Sequence, residues 1–220
     1  MSGYTRLYLI IAAATLGCIA WIGLNRKTLC FNWLAVIVSA LICMAAGVTF
    51  VRVFAFMEGG FTDTKLDKMS LFGGVFMMPL VLALGAKLTK RDMRDVFDIY
   101  GICMPWTMTC MRVNCLFAGC CLGNFIHGTD FRWPTREAEI VFYVAFIALL
   151  APKVYKRETR GTVYPLYMLC YGIFRFIIEF LRQSDSTGVL HIAHAWALLA
   201  AVIGLGVYWE VQNRNKKKKR

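Results

Sequence analysis

Two arginines, Arg112 and Arg175, lie inside stretches that are otherwise apolar enough to cross a bilayer. Even on insertion scales an arginine at the centre of a membrane helix costs about 2.5–3.5 kcal/mol, so each requires a compensating anion, water or ligand. The first stretch runs from Cys110 through Arg112, Asn114, Cys115, Gly119, Cys120 and Cys121 to Gly123. In the second, Tyr171, Arg175, Glu179 and Arg182 are spaced by four, four and three residues, which stacks them on one helical face. Directed guanidinium donors suit a phosphate, and the two stretches read as walls of a site for an anionic lipid head group. The structural alternative is a self-neutralising Arg175–Glu179 pair, with Glu179 also shared by Arg112, whose own span carries no acid at helical spacing.

The elements that must position these residues are membrane helices. Hydrophobic residues make up 59% of the 220-residue chain and come in long blocks, more than a soluble domain of this size needs. With about twenty residues per crossing as the ruler, the chain reads as an all-α polytopic membrane protein of about seven spans. They run Leu7–Leu24, Phe31–Phe56, Leu71–Leu88, Ile99–Leu122, Ala138–Tyr155, Val163–Leu181 and Val189–Trp209. Residues 1–209 form one transmembrane domain on this reading, and 210–220 form a basic, disordered cytoplasmic tail. The formal charge of +12 does not point to nucleic acid, because the basic residues flank apolar segments.

Alternate loops divide those charges unequally. One side holds Arg26, Lys27, Lys87, Lys90, Arg91, Arg94, Lys153, Lys156, Arg157, Arg160 and the tail, whereas the other holds only Arg6, Lys65, Lys68, Arg132, Arg136 and Arg182. The positive-inside rule then sets the N-terminus outside and the C-terminus in the cytoplasm. At about 1.5 Å of rise per residue, Arg112 lies roughly 20 Å and Arg175 roughly 18 Å from the inner ends of their spans, hence at one depth. Gly73, Gly74, Arg136, Glu139, His191 and His194 begin the inward spans at the same level, and the loop carrying His127, Arg132 and Trp133 lies close by. The glycines Gly73, Gly74, Gly119 and Gly123 serve either helix packing or backbone approach to a ligand. The histidines are either interfacial or proton acceptors. Cys115, Cys120 and Cys121 with His127 lack a second well-spaced ligand pair, so no metal site is expected and no cofactor is implied. A transport path is a further alternative for the buried charges, against which stands their confinement to one end of the spans.

At these residues the chain resembles the prolipoprotein diacylglyceryl transferase family, seven-span enzymes of the bacterial cytoplasmic (inner) membrane. The stretch from Tyr171 to Arg182 is similar over its whole length, and Arg112 to Gly123 resembles the family's Arg-x-Gly-Cys-Phe-x-x-Gly-Cys-Cys-x-Gly form. The resemblance implies phosphatidylglycerol as donor and a cysteine thiol of a prolipoprotein as acceptor. It implies catalytic roles for Arg112, Arg175, Tyr171 and Glu179, with Gly73, Gly74, Asn114, Gly119, Gly123, Glu139 and Arg182 contacting substrate. Departures are specific: Phe72 stands where the family has a histidine, Asn114 replaces a glycine, and Trp133 replaces the histidine before Pro134. Phenylalanine can neither accept nor donate a proton. His194, His191, His127 or Glu139 would then have to act as base, or the chain binds lipid without turnover or uses another acceptor.

Overall fold

The computed structural model describes residues 3–61, 69–182 and 191–217. Eight helices follow one another: α1 (Gly3–Leu24), α2 (Arg26–Leu29), α3 (Trp33–Glu58), α4 (Leu71–Leu88), α5 (Met93–Ala118), α6 (Thr135–Tyr155), α7 (Val163–Leu181) and α8 (Ile192–Lys217). No strand occurs among the described residues beyond two isolated antiparallel bridges. Six of these helices, α1, α3, α4, α6, α7 and α8, are long and apolar enough to cross a membrane. Lys65, Lys68 and the first residues of the expected last span lie outside the described residues.

The expected fourth span is the exception. It folds as α5, but its turns carry Thr107, Thr109, Arg112 and Asn114, which leave it short of the apolarity of the others. Its position explains the tolerance: α5 packs against α1, α4, α6 and α7, so its polar residues face protein. Polar groups in a membrane helix are admissible where neighbouring helices surround them. The helix starts six residues before the expected span because Asp92 caps it, its carboxylate accepting from the Arg94 amide at 2.9 Å. It ends at Gly119, which takes a left-handed conformation (φ 68°).

Close backbone approach fixes the rest of the bundle. A Cβ on Gly172 of α7 would stand 2.6 Å from the Ala197 carbonyl oxygen, and one on Gly204 of α8 would stand 2.9 Å from that of Pro165. Small residues let α7 and α8 touch along much of their length, the usual device for helices that gain little from hydrophobic exclusion in lipid. Large apolar side chains elsewhere, among them Leu34, Leu80, Leu149 and Leu198, point outward and are exposed, as a lipid-facing surface requires.

The expected disorder of residues 210–220 is corrected over most of that segment. Helix α8 continues through Lys217, with Glu210 paired to Arg214 one turn on and the Asn215 amide donating to the Arg160 carbonyl at 3.0 Å. Cationic residues in its last turn complement the carbonyl end of the helix dipole.

Candidate functional site

Arg112, Arg175 and Glu139 come from three different helices and meet at one end of the bundle. The Arg112 Nε donates to Glu139 Oε2, and Arg175 Nη1 donates to Glu139 Oε1 at 3.0 Å. The Tyr143 hydroxyl, one turn along α6, also donates to Oε2, at 3.3 Å. The second guanidinium nitrogen of Arg175 pairs with Glu179 at 2.7 Å, and Arg182 reaches the same carboxylate at 3.9 Å. Arg112, Arg175 and Glu139 are all at most 5% exposed, so these charges sit where solvent cannot screen them.

The carboxylate that joins the two arginines is therefore Glu139. Glu179, the residue that local spacing favoured as a shared partner, holds Arg175 and Arg182 instead. The buried charges are those of Arg112, Arg175 and Glu139, while Arg182 lies at the partly exposed rim and Glu58 of α3 is close enough to interact with Arg175 and Glu179.

Tyr171 adds a donor. Its hydroxyl is fully buried without a hydrogen-bond partner, and its ring meets that of Phe72 edge-on, with centroids 5.9 Å apart. Phe72 is 3% exposed and packs on Phe76 as well, so an aromatic contact occupies the position where a histidine was of interest. Asn114 likewise has a buried side-chain oxygen without a partner.

A hairpin of residues 124–133 closes this end. The Ile126 amide donates to the Phe131 carbonyl at 2.8 Å, and Trp133 donates to Asn124 at 3.0 Å. The hairpin is tied to the end of α7 by the Asn124 amide, which donates to the Leu181 carbonyl at 2.8 Å, while Arg132 closes its base by donating to the Gly123 carbonyl at 3.3 Å. Gly123 is required here because a Cβ would stand 2.2 Å from the Trp133 carbonyl oxygen. Gly73 has a similar reason, its Cβ position being 2.2 Å from the Phe50 carbonyl oxygen of α3, whereas Gly74 has only side chains in ordinary contact. Of the four glycines, Gly73 and Gly123 thus serve backbone packing and Gly119 ends α5.

His127 is exposed in the hairpin turn. His194 is 3% exposed between Phe176 and Phe180, and its Nδ1 accepts the His191 amide at 3.1 Å. The His194 amide bonds the His191 carbonyl at 2.9 Å, so the His194 ring supplies the side-chain half of a capping box at the start of α8.

An apolar cavity of about 120 Å³ opens between α1, α3, α4 and α5. Met78, Met104 and Met108 line it with Gly74, and Met111, next to Arg112, lies at its wall. Arg52, which sequence reading passed over inside the second span, borders the same cavity. Thioether side chains are flexible and adapt to alkyl chains of varied shape.

With this geometry in view, comparison with known proteins is decisive for the family. The profile of prolipoprotein diacylglyceryl transferase matches residues 9–210. The chain belongs to the prolipoprotein diacylglyceryl transferase family. Among its relatives, a phosphatidylglycerol–prolipoprotein diacylglyceryl transferase of Aeromonas salmonicida is 28% identical, over 54% of this chain and 47% of its own length. A protein of the same name from Mannheimia succiniciproducens is also 28% identical, over 61% of this chain and 51% of its own. The second such transferase of Clostridium perfringens is 26% identical over 68% and 63%. The chain thus spans about half the length of the first two relatives it matches.

Proposed function

We propose that this chain is a seven-span transferase of the bacterial cytoplasmic membrane that moves the diacylglyceryl group of phosphatidylglycerol onto the cysteine thiol of a prolipoprotein. The observation that carries the reading is the pair of buried guanidinium groups, Arg112 and Arg175, brought from two helices onto one carboxylate, Glu139. Their remaining donors suit a phosphodiester anion. Family membership supplies the donor and acceptor classes.

In the reaction, the acceptor sulfur attacks the glycerol carbon that bears the phosphate ester. A carbon–sulfur bond forms as the carbon–oxygen bond breaks, the thiol proton is lost, and glycerol phosphate leaves with the electron pair. Negative charge grows on the departing phosphate, where Arg112 and Arg175 are held by Glu139 and need no reorganisation to stabilise it. Tyr171 offers the phosphate a further donor. The positive charge of the arginines also favours ionisation of the incoming thiol, which is the nucleophilic form, and its proton passes to water or to the departing phosphate.

The methionine-lined cavity beside Arg112 offers the donor's acyl chains an apolar surface. The uneven loop charges favour an outer location for the arginine cluster and a cytoplasmic location for the Arg94, Arg157 and Arg160 end.

The test is mass spectrometry of purified protein incubated with phosphatidylglycerol and a peptide carrying a lipoprotein cysteine motif, beside an Arg175→Ala variant. Diacylglyceryl-peptide and glycerol phosphate are expected from the unmodified protein alone. Phosphatidylglycerol consumed without modified peptide would replace the acceptor, and no consumption with any of a panel of thiol acceptors would overturn the transferase reading.

A further inference from the structure

Three cysteines at the end of α5 have no part in the transfer chemistry. Cys115 lies in the last turn of the helix, while Cys120 and Cys121 lie in the turn that follows. Gly119 and Cys121 both take left-handed conformations, at φ 68° and 57°, and the chain folds back on itself there. As a result the three Sγ atoms all lie within 4.8 Å of one another, the one such grouping of thiols, imidazoles or carboxylates among the described residues. Cys120 is exposed and the other two are half-buried, so the group is open to solvent on one side.

We propose that Cys115, Cys120 and Cys121 form a three-thiolate site for a soft d10 cation, zinc or copper(I). Sulfur donors select these ions over harder ones. Zinc holds thiolates at about 2.3 Å, which sets sulfurs roughly 3.8 Å apart, so side-chain rotations at the exposed end are enough to close the observed spacing. Three thiols give up three protons as three metal–sulfur bonds form, and water on the exposed side completes a tetrahedral zinc site. Copper(I) is satisfied by the three sulfurs alone.

Charge favours the same assignment. A divalent ion bound by three thiolates carries one net negative charge, and copper(I) carries two. Arg112 Nη1 stands 4.0 Å from the Cys115 sulfur, and Arg136 Nη1 donates to the Cys115 carbonyl at 3.4 Å. The bound cluster is therefore an anion among guanidinium groups, whereas a bare cation would be repelled. Sequence spacing pointed away from metal because it offers no second ligand pair, but a three-sulfur site needs none.

The experiment uses the full chain in detergent with its thiols kept reduced. Zinc ion and, without oxygen, copper(I) are titrated separately against a chromophoric chelator, and cadmium ion is followed by the ultraviolet absorption of its thiolate bonds. One equivalent per chain is expected, with Cys115, Cys120 and Cys121 protected from alkylation while exposed Cys30 is modified. Cys120→Ser, at an exposed position that leaves the helices intact, is expected to weaken binding at least about tenfold, and Cys30→Ser to leave it unchanged. Which of the two ions survives competition by the other decides the metal. Retention of none of the ions, retention undiminished in the Cys115, Cys120 and Cys121 triple serine variant, or pairwise loss of thiols with a two-hydrogen drop in mass and no metal would each overturn the site.

Discussion

Two carboxylates, Glu139 and Asp98, are buried at opposite ends of the same bundle, and their partners differ in kind. Asp98 accepts from the Thr159 hydroxyl and the Gly161 amide at 2.6 Å each and from the Val163 amide at 3.0 Å. All of these donors are neutral and belong to the turn that opens α7, so Asp98 staples a loop and caps a helix. Glu139 instead holds two arginines from two other helices, with Tyr143 as its single neutral donor. A carboxylate satisfied by backbone donors fixes geometry and has nothing left to offer. One shared by guanidinium groups presets cationic donors whose remaining capacity is free for an incoming anion.

The sharpest way to break this contrast is to remove an arginine. Arg175→Ala is expected to lower the rate of diacylglyceryl-peptide formation by about 100-fold or more, the scale of losing one preorganised charge-stabilising group. A variant that turns over normally would reduce the arginine end to the same structural role as the Asp98 end. Glu139→Gln comes next: it leaves buried Arg112 without its carboxylate and Arg175 with Glu179 alone, and should cost about 3–5 kcal/mol of stability. Thermal unfolding in detergent measures this, and anionic phospholipid is expected to restore part of the loss because it supplies the missing charge.

Asp98→Asn tests the other end. It keeps one acceptor oxygen but turns a donor toward the Thr159–Val163 loop, for an expected loss of about 1–3 kcal/mol. Turnover per folded molecule should not change, and a fall in turnover with stability preserved would show that the two ends are coupled. The smallest effect is expected from Tyr171→Phe. Its hydroxyl has no partner within the protein, so stability should be unchanged or slightly higher, while transfer slows by about tenfold, equivalent to one hydrogen bond to substrate. Kinetic analysis that separates kcat from KM reports whether that bond forms in the bound complex or only in the transition state.

Much of this architecture is legible along the chain because it is local. Six helices follow from runs of apolar residues measured against the bilayer, and the Arg175–Glu179 pair follows from helical spacing. Arg112 and Arg175 stand at one depth, as counting rises along two spans implied, since both reach Glu139. What spacing could not supply is the carboxylate between them, which lies 27 residues from one arginine and 36 from the other. Counting along the spans set Glu139 at the same level as the arginines, but nothing local paired it with them. The ring of His194 accepts the His191 amide at the start of α8, a contact that sequence spacing does not reveal. The limits of α5 shifted because a capping aspartate and a left-handed glycine, rather than hydropathy, decide where that helix stops.

The contact of α7 with α8 through Gly172 and Gly204 has a consequence for traffic. Where two backbones touch, no hydrocarbon chain can slip between them, so that seam is shut to a lipid leaving the surrounding bilayer. A donor bound for Arg175 has to enter from another flank of the bundle, and the methionine-lined opening between α1, α3, α4 and α5 lies on such a flank. The glycines of α7 and α8 then act as a wall that narrows a two-dimensional search.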